Sequence, residues 1–182
     1  MKASPAKWVA KTALFLAILI VFQAVTAPLG MTLVTGSLVN LTLIITVMLG
    51  GLSSGVTVAI LSPVLASILG IGPKVLPLLP CIMIGNVVLV LIWHYLTAKL
   101  NLPQLATYIL ATIVAAGLKF IVLYLLIVKL LVQNILAVAP PQSTILTAMF
   151  SAPQLITALI GGIIATVLLP ILRPLMNSTK LS

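Results

Sequence analysis

The stretch Gln104–Leu131, with the sequence QLATYILATIVAAGLKFIVLYLLIVKLL, decides the fold, because it is longer and more apolar than a membrane-crossing helix requires. A helix needs about 20 mainly apolar residues to span a bilayer. The same character extends over the whole sequence, which is 63% hydrophobic and 5% charged. Soluble domains are about half apolar and about one quarter charged. We therefore predict an all-α integral membrane protein.

Apolar runs and turn residues divide the sequence into six predicted transmembrane helices, which form one membrane domain over residues 1–182. These helices cover residues 8–26, 34–49, 56–69, 76–96, 104–131 and 154–172. Gly50–Gly55 predicts a turn between the second and third helices. Pro63 predicts a kink in the third, because it lacks a backbone donor. The long connection before the sixth helix is predicted to carry a short interfacial helix around Thr144–Phe150.

The basic residues predict the orientation, because Lys and Arg are enriched in cytoplasmic loops. With six helices, one side holds Lys2, Lys7, Lys11, Lys99, Arg173 and Lys180, and the other holds Lys74 and Lys129. Both termini are therefore expected in the cytoplasm. The first helix is expected to be retained as a span and not removed as a signal peptide. Trp93, His94 and Tyr95 predict an aromatic belt at the membrane interface.

The composition excludes several classes of protein. There is no Asp or Glu, so no paired-carboxylate hydrolase can be built, and the usual relay of a proton-coupled carrier is missing. A single histidine, His94, and a single cysteine, Cys81, predict no metal site, no cofactor and no catalytic residue. No nucleotide-binding motif occurs, so the chain is not expected to hydrolyse ATP itself. The net charge of +9 lies mainly at the ends of apolar runs, which does not indicate nucleic-acid binding.

Lys119 is the residue most indicative of function, because it lies inside the fifth predicted helix among apolar neighbours. A lysine at the bilayer centre costs about 2.5–3.5 kcal/mol on insertion scales, and here no side-chain carboxylate can offset it. Lys119 is predicted to face an internal cavity and to meet a polar or anionic ligand. The alternative is that it extends towards the interface or bonds to backbone carbonyls.

Other polar residues of the predicted helices lie at a similar height, in the outer half of the membrane. The predicted substrate-binding residues are Lys119, Asn86, Asn40, Gln23, Gln154 and Tyr124. Unpaired amides are costly in lipid, so these side chains should face the interior of the bundle. Their shared height predicts an outward-facing pocket, although separate helix–helix hydrogen bonds would explain them too.

Several short features together carry a family resemblance. They are Ala13-Leu14-Phe15-Leu16-Ala17, Gly36-Ser37-Leu38-Val39-Asn40, the Gly50–Gly55 turn, Pro63, and Pro80 followed by Gly85-Asn86. With six short helices and cytoplasmic termini, the chain resembles the substrate-binding S component of energy-coupling factor (ECF) vitamin transporters. The resemblance implies a prokaryotic plasma membrane, a transmembrane coupling protein and two cytoplasmic ATPases. It also implies docking of Ala13 and Ala17 on the coupling protein, and a substrate site under the loops 27–36 and 70–76.

The ligand and the rival functions remain open at the level of the sequence. Without carboxylates, cationic thiamine is disfavoured, whereas neutral or anionic vitamins are favoured. Lys119 would suit the carboxylate of pantothenate or folate, and the amides would suit riboflavin, pyridoxine or hydroxymethylpyrimidine. The main alternative is a stand-alone secondary carrier or channel for a small polar solute. An intramembrane lipid enzyme that uses His94 and a purely structural subunit are further alternatives.

Overall fold

A computed structural model describes residues 4–73, 75–135 and 140–178, with side chains through Pro174, and all regular structure in these ranges is helical. The elements are α1 (Pro5–Thr26), α2 (Thr32–Ile45, continued by a π-helical turn Thr46–Gly50), α3 (Leu52–Ile68), α4 (Leu78–Lys99), α5 (Gln104–Leu123, continued by a π-helical segment Tyr124–Ile135), α6 (Gln142–Met149) and α7 (Ala152–Ser178). The prediction of an all-α fold is confirmed for these residues.

Five helical segments are long and apolar enough to cross a membrane. They are Pro5–Thr26, Thr32–Gly50, Leu78–Lys99, Gln104–Ile135 and Gln142–Pro174. The third predicted span corresponds to α3, which is also apolar but shorter. The chain is therefore a multi-pass membrane protein. Most predicted boundaries shift by a few residues. The largest change is at α7, which extends beyond residue 172 to Ser178. In addition, α3 begins at Leu52 and not at residue 56, and the helical segment that includes α5 ends at Ile135 and not at residue 131.

Six of the helices form a closed ring in which each packs against two neighbours. The order around the ring is α1, α2, α7, α5, α4, α3 and back to α1. Fully buried side chains such as Leu19, Ile44, Leu89 and Leu169 fill its interior. Large apolar side chains also cover the outside, as Ile113 on α5 and the outward face of α1 illustrate. Apolar residues on both faces are expected of helices that meet protein on one side and lipid on the other.

The turn between α2 and α3 is tighter than the sequence predicts. Gly51 makes it alone, with φ of 90°, a conformation that suits glycine because it lacks a Cβ atom. Ser54 and Gly55 belong to α3 and are buried, so the prediction of a turn through Gly55 is wrong. A Cβ atom on Gly55 would lie 2.8 Å from Val47 Cβ. The small residues after Gly51 therefore serve close helix packing and not chain reversal.

Two adjacent glycines allow α7 to pack tightly between α2 and α5. A Cβ atom on Gly161 would lie 2.7 Å from the backbone oxygen of Ser37 on α2. One on Gly162 would lie 2.5 Å from Thr112 Cγ2 on α5. Small residues at such positions let helix backbones approach closely in membranes. This contact brings the start of α7 beside Asn40 and towards Lys119.

One end of the ring is closed by an aromatic cluster. Trp93 is fully buried, and its ring centroid lies 5.6 Å from that of Tyr108. The guanidinium of Arg173, near the end of α7, lies 5.8 Å from the Tyr108 ring centroid. Trp93 therefore fills the core, and its prediction as part of an interfacial belt is wrong. Tyr95 is exposed, as a belt residue would be, and His94 is half-buried beside it.

Candidate small-molecule binding site

A cavity of about 780 Å³ opens at the end of the ring opposite the aromatic cluster. It is lined by the ends of α1 and α3, the starts of α2, α4 and α7, the middle of α5, and α6. Residues 71–73 and Val75, in the loop after α3, complete the wall. Pockets for small molecules in proteins usually measure about 300–1,000 Å³. The volume therefore suits a ligand of vitamin size.

Lys119 projects from α5 to the wall of this cavity and is only 3% exposed. Its Nζ donates to Asn40 Oδ1 on α2 at 2.6 Å and to Asn86 Oδ1 on α4 at 2.7 Å. An ammonium group has three N–H donors, so one donor has no partner among the residues that the structure describes. The two amide oxygens satisfy hydrogen bonds but carry no net charge, so the positive charge of the ammonium form is not neutralised.

The position of Asn86 depends on a proline in the neighbouring helix. Pro63 has no backbone N–H, so the carbonyl of Ala59, four residues earlier in α3, lacks its usual helical donor. Asn86 Nδ2 donates to that carbonyl at 3.5 Å. Because the amide nitrogen is used in this way, the amide oxygen points to Lys119. A proline on α3 thus orients an asparagine on α4, which in turn holds the lysine on α5.

Asn40 is oriented by a similar relay on the other side of Lys119. Its Nδ2 donates to Thr157 Oγ1 on α7 at 3.4 Å. The Thr157 hydroxyl donates in turn to the backbone oxygen of Gln154 at 3.2 Å. Together the two relays join α3, α4, α5, α2 and α7 through one buried cation. Buried polar networks of this kind rigidify a site when their members are bonded.

Two further polar atoms at the cavity have no hydrogen-bond partner among the described residues. Ser62, beside Pro63 on α3, is 1% exposed, and its Oγ has no hydrogen-bond partner among the described residues. The same holds for Oε1 of Gln23, near the end of α1. Both residues line the cavity. Buried polar atoms are rarely left unpaired in native proteins, so these two atoms are candidates for ligand contacts.

The short helix α6 covers one side of the cavity. Leu146 of α6 and Phe150, which follows the end of α6, belong to a separate apolar cluster. This cluster includes Leu78 of α4 and Leu123 of α5. Gln154 Nε2, at the start of α7, donates to the backbone oxygen of Met149 at 3.1 Å. Apolar packing and this hydrogen bond together hold α6 over the site.

The structure brings five of the six predicted substrate-binding residues to one cavity. Lys119, Asn86, Asn40, Gln23 and Gln154 all line it. The sixth residue, Tyr124, does not line it. Its ring instead lies 5.9 Å from that of Phe120, with the ammonium of Lys129 5.9 Å from its centroid. Successive residues of an α-helix are rotated by about 100°, so the residue four positions after Lys119 lies on the same face of α5. That residue is Leu123, and it does line the cavity.

Sequence reasoning missed Ser62 and the contribution of α6 to the wall. Ser62 has one sequence signal, its position next to a proline inside an apolar helix. The predicted interfacial helix around Thr144–Phe150 corresponds to α6, but nothing in its sequence indicates that it covers a cavity. Its packing on Leu78 and Leu123 joins distant parts of the chain, which a local pattern does not reveal.

The predicted docking residues lie away from the cavity, on the outer surface. Ala13 and Ala17 are both exposed on α1, together with Leu14 and Val21. The buried residues of this helix, among them Phe15 and Leu19, lie on its other face. The structure therefore separates a surface of small and apolar side chains on α1 from the polar cavity.

Comparison with known proteins gives no relative for this chain. No family model, no curated protein and no solved structure matches it.

Proposed function

We propose that the chain is the substrate-binding S component of an ECF-type importer in a prokaryotic plasma membrane. It captures a neutral or anionic water-soluble vitamin or vitamin precursor outside the cell. A transmembrane coupling protein and two cytoplasmic ATPases then drive its release inside. The observation that carries the proposal is the cavity of about 780 Å³ that holds Lys119 between two asparagine oxygens at one end of a helical ring.

The closed end of the ring favours a binding subunit over an open channel. Trp93 and Tyr108 are 0% and 2% exposed and fill the space between α4 and α5. A solute in the cavity therefore meets packed aromatic side chains below it and not a continuous polar path. Passage requires a large movement of the protein, which in this proposal is driven by ATP hydrolysis on the partner subunits.

The exposed face of α1 suits the partner that the proposal requires. Ala13 and Ala17 are one helical turn apart, and small residues let another membrane helix approach closely. Large exposed side chains flank them, so a partner would also gain van der Waals contact. In this proposal the coupling protein docks on this face of α1.

The proposal also requires that the cavity open to the outside. Lys7 and Lys11 lie at the start of α1, Lys99 at the end of α4 and Arg173 near the end of α7, all at the closed end. The positive-inside rule supports a cytoplasmic position for this end.

Labelling with a membrane-impermeant maleimide tests this orientation. Asn134, at the cavity end, and Asn101, at the closed end, are both exposed, whereas the single native cysteine, Cys81, is buried. Asn134→Cys should react in intact cells, and Asn101→Cys only after permeabilisation. The reverse pattern would exclude an outward-facing cavity.

Uptake measurements test the function itself. The chain is reconstituted in proteoliposomes with and without a coupling protein and ATPases. The labelled probes are pantothenate, folate, riboflavin, pyridoxine and hydroxymethylpyrimidine. The proposal expects binding of one probe by the chain alone, and uptake only with the full complex and ATP. Uptake by the chain alone would identify a stand-alone carrier and refute the proposal.

A further inference from the structure

The charge balance of the cavity narrows the class of ligand. The sequence contains no Asp or Glu, so none of its side chains can neutralise the ammonium form of Lys119. That group is 3% exposed and makes its two hydrogen bonds to amide oxygens. Isolated buried charges are unfavourable, and proteins normally pair them. An anion that pairs with the ammonium form of Lys119 must therefore be supplied by a bound molecule, since no side chain of the sequence supplies one.

Ser62 supplies a second, independent sign of the same ligand group. Its hydroxyl can donate one hydrogen bond, and the oxygen has no partner among the residues that the structure describes. Ser62 lies one helical turn beyond Ala59, whose carbonyl holds Asn86 beside Lys119. An ammonium donor and a hydroxyl donor, both without a partner among the described residues, thus line the same cavity. Two donors of this kind match an acidic group with two oxygen atoms.

Gln23 contributes a hydrogen-bond acceptor, in contrast to the donors of Lys119 and Ser62. Its Oε1 is a buried acceptor without a described partner, and it reaches the cavity from α1, the one ring helix that does not join the lysine network. An acceptor at this position matches an N–H or O–H donor on the ligand. The rest of the cavity lining is mainly apolar and includes Ile82 and Leu146, which suits a carbon framework in the ligand.

We propose that the ligand is a small organic monoanion whose carboxylate lies on Lys119 and Ser62 and whose hydroxyl or N–H group donates to Gln23. This inference rests on the proposed function and narrows it, because it excludes neutral and cationic ligands. The asparagines hold Lys119 in place and leave one ammonium donor and the whole positive charge for the carboxylate.

Matched pairs of probes test the sign of the ligand charge. The purified protein is titrated with pantothenate and panthenol, nicotinate and nicotinamide, biotin and biotinamide, with riboflavin and thiamine as neutral and cationic references. At least one acid should bind, and it should bind about 10- to 100-fold more tightly than its neutral partner, the range that a charge-assisted hydrogen bond contributes. Tighter binding of a neutral probe would overturn the inference and leave the proposed function standing, whereas tighter binding of thiamine would contradict both, because the proposed function expects a neutral or anionic ligand. Failure of every probe to bind would count against both.

A single substitution can place a negative charge beside Lys119 within the protein itself. Asn86→Asp places a carboxylate in contact with Lys119, where the amide oxygen now lies at 2.7 Å. The affinity for the acid should fall about 10- to 100-fold, because the internal carboxylate takes the place of the ligand. The neutral partner should be affected less. Asn101→Asp, on the exposed connection between α4 and α5, makes the same change in net charge far from the cavity and should leave both affinities unchanged.

Two serines separate a ligand contact from a structural role. Ser62→Ala removes a hydroxyl that bonds to none of the described residues, so acid binding should weaken while the unfolding temperature is maintained. Ser54→Ala removes a buried hydroxyl that accepts from Thr12 Oγ1 at 2.8 Å, so it should lower the unfolding temperature and spare the affinity. Unchanged acid affinity in Ser62→Ala, together with an unchanged acid preference in Asn86→Asp, would overturn the assignment.

Discussion

Replacing Pro63 by alanine should make the protein less dependent on Asn86. In the native chain, Asn86 performs two tasks, since its oxygen accepts from Lys119 at 2.7 Å and its nitrogen donates to the Ala59 carbonyl at 3.5 Å. Asn86 can donate to the Ala59 carbonyl because Pro63 has no backbone N–H that would otherwise bond to that carbonyl. An alanine at position 63 restores the N–H, and the helical bond to Ala59 can then form.

The expected magnitudes follow from the two bonds of Asn86. Asn86→Ala removes a charge-assisted bond, which contributes about 1.5–3 kcal/mol to the free energy of unfolding. It also leaves the buried Ala59 carbonyl unbonded, at a cost of about 1 kcal/mol, the low end of the range, because 3.5 Å is long for a hydrogen bond. The single substitution should therefore cost about 2.5–4 kcal/mol. In the Pro63→Ala background it should cost about 1 kcal/mol less.

A double-mutant cycle measured by unfolding in detergent micelles tests this reasoning. Pro170 provides the control, because it also lies inside a helix but is exposed on α7, away from Asn86. The coupling between Asn86→Ala and Pro63→Ala should be about 1 kcal/mol, and that between Asn86→Ala and Pro170→Ala should be close to zero. Additive effects in the Pro63 cycle would refute the idea that the proline orients the asparagine.

Two other predictions concern packing and docking. In the unfolding assay, Gly161→Val should destabilise the protein by about 1–3 kcal/mol, because its Cβ would approach the Ser37 backbone oxygen to 2.7 Å. In the same assay, Gly117→Ala should stabilise the protein by about 0.5–1 kcal/mol, because a Cβ atom at this position meets nothing within 4 Å. The double substitution Ala13→Trp with Ala17→Trp should abolish uptake by the reconstituted complex and leave ligand binding by the isolated chain intact, because both residues lie on the exposed face of α1; normal uptake would remove the docking assignment.

The cavity residues were predictable because membrane helices restrict polar side chains severely. An amide or ammonium group within an apolar run must face the interior, so height along each helix was enough to group Lys119, Asn86, Asn40, Gln23 and Gln154. The rotational position was not available from height alone. Tyr124 has the right height, but it lies five residues after Lys119 and so on a different face of α5.

Features that depend on tertiary contacts could not be predicted in this way. Trp93 has the sequence context of an interfacial residue, yet it is fully buried because Tyr108 of the next helix packs against it. Ser54 and Gly55 have turn chemistry, yet they lie within α3 because one glycine, Gly51, is enough to reverse the chain. In each case a neighbouring helix or a single backbone angle overrides the local pattern.

The most direct test of the central claim is mass spectrometry of small molecules released from the detergent-purified protein, with Lys119→Met prepared in parallel. The account predicts a vitamin-sized organic anion in nearly equimolar amount with the native protein and its loss from Lys119→Met, whose cavity lacks the only buried cation of the described network. A neutral molecule bound equally by both proteins would contradict the assignment of Lys119. A native protein that releases nothing and binds none of the probes would contradict the cavity as a ligand site.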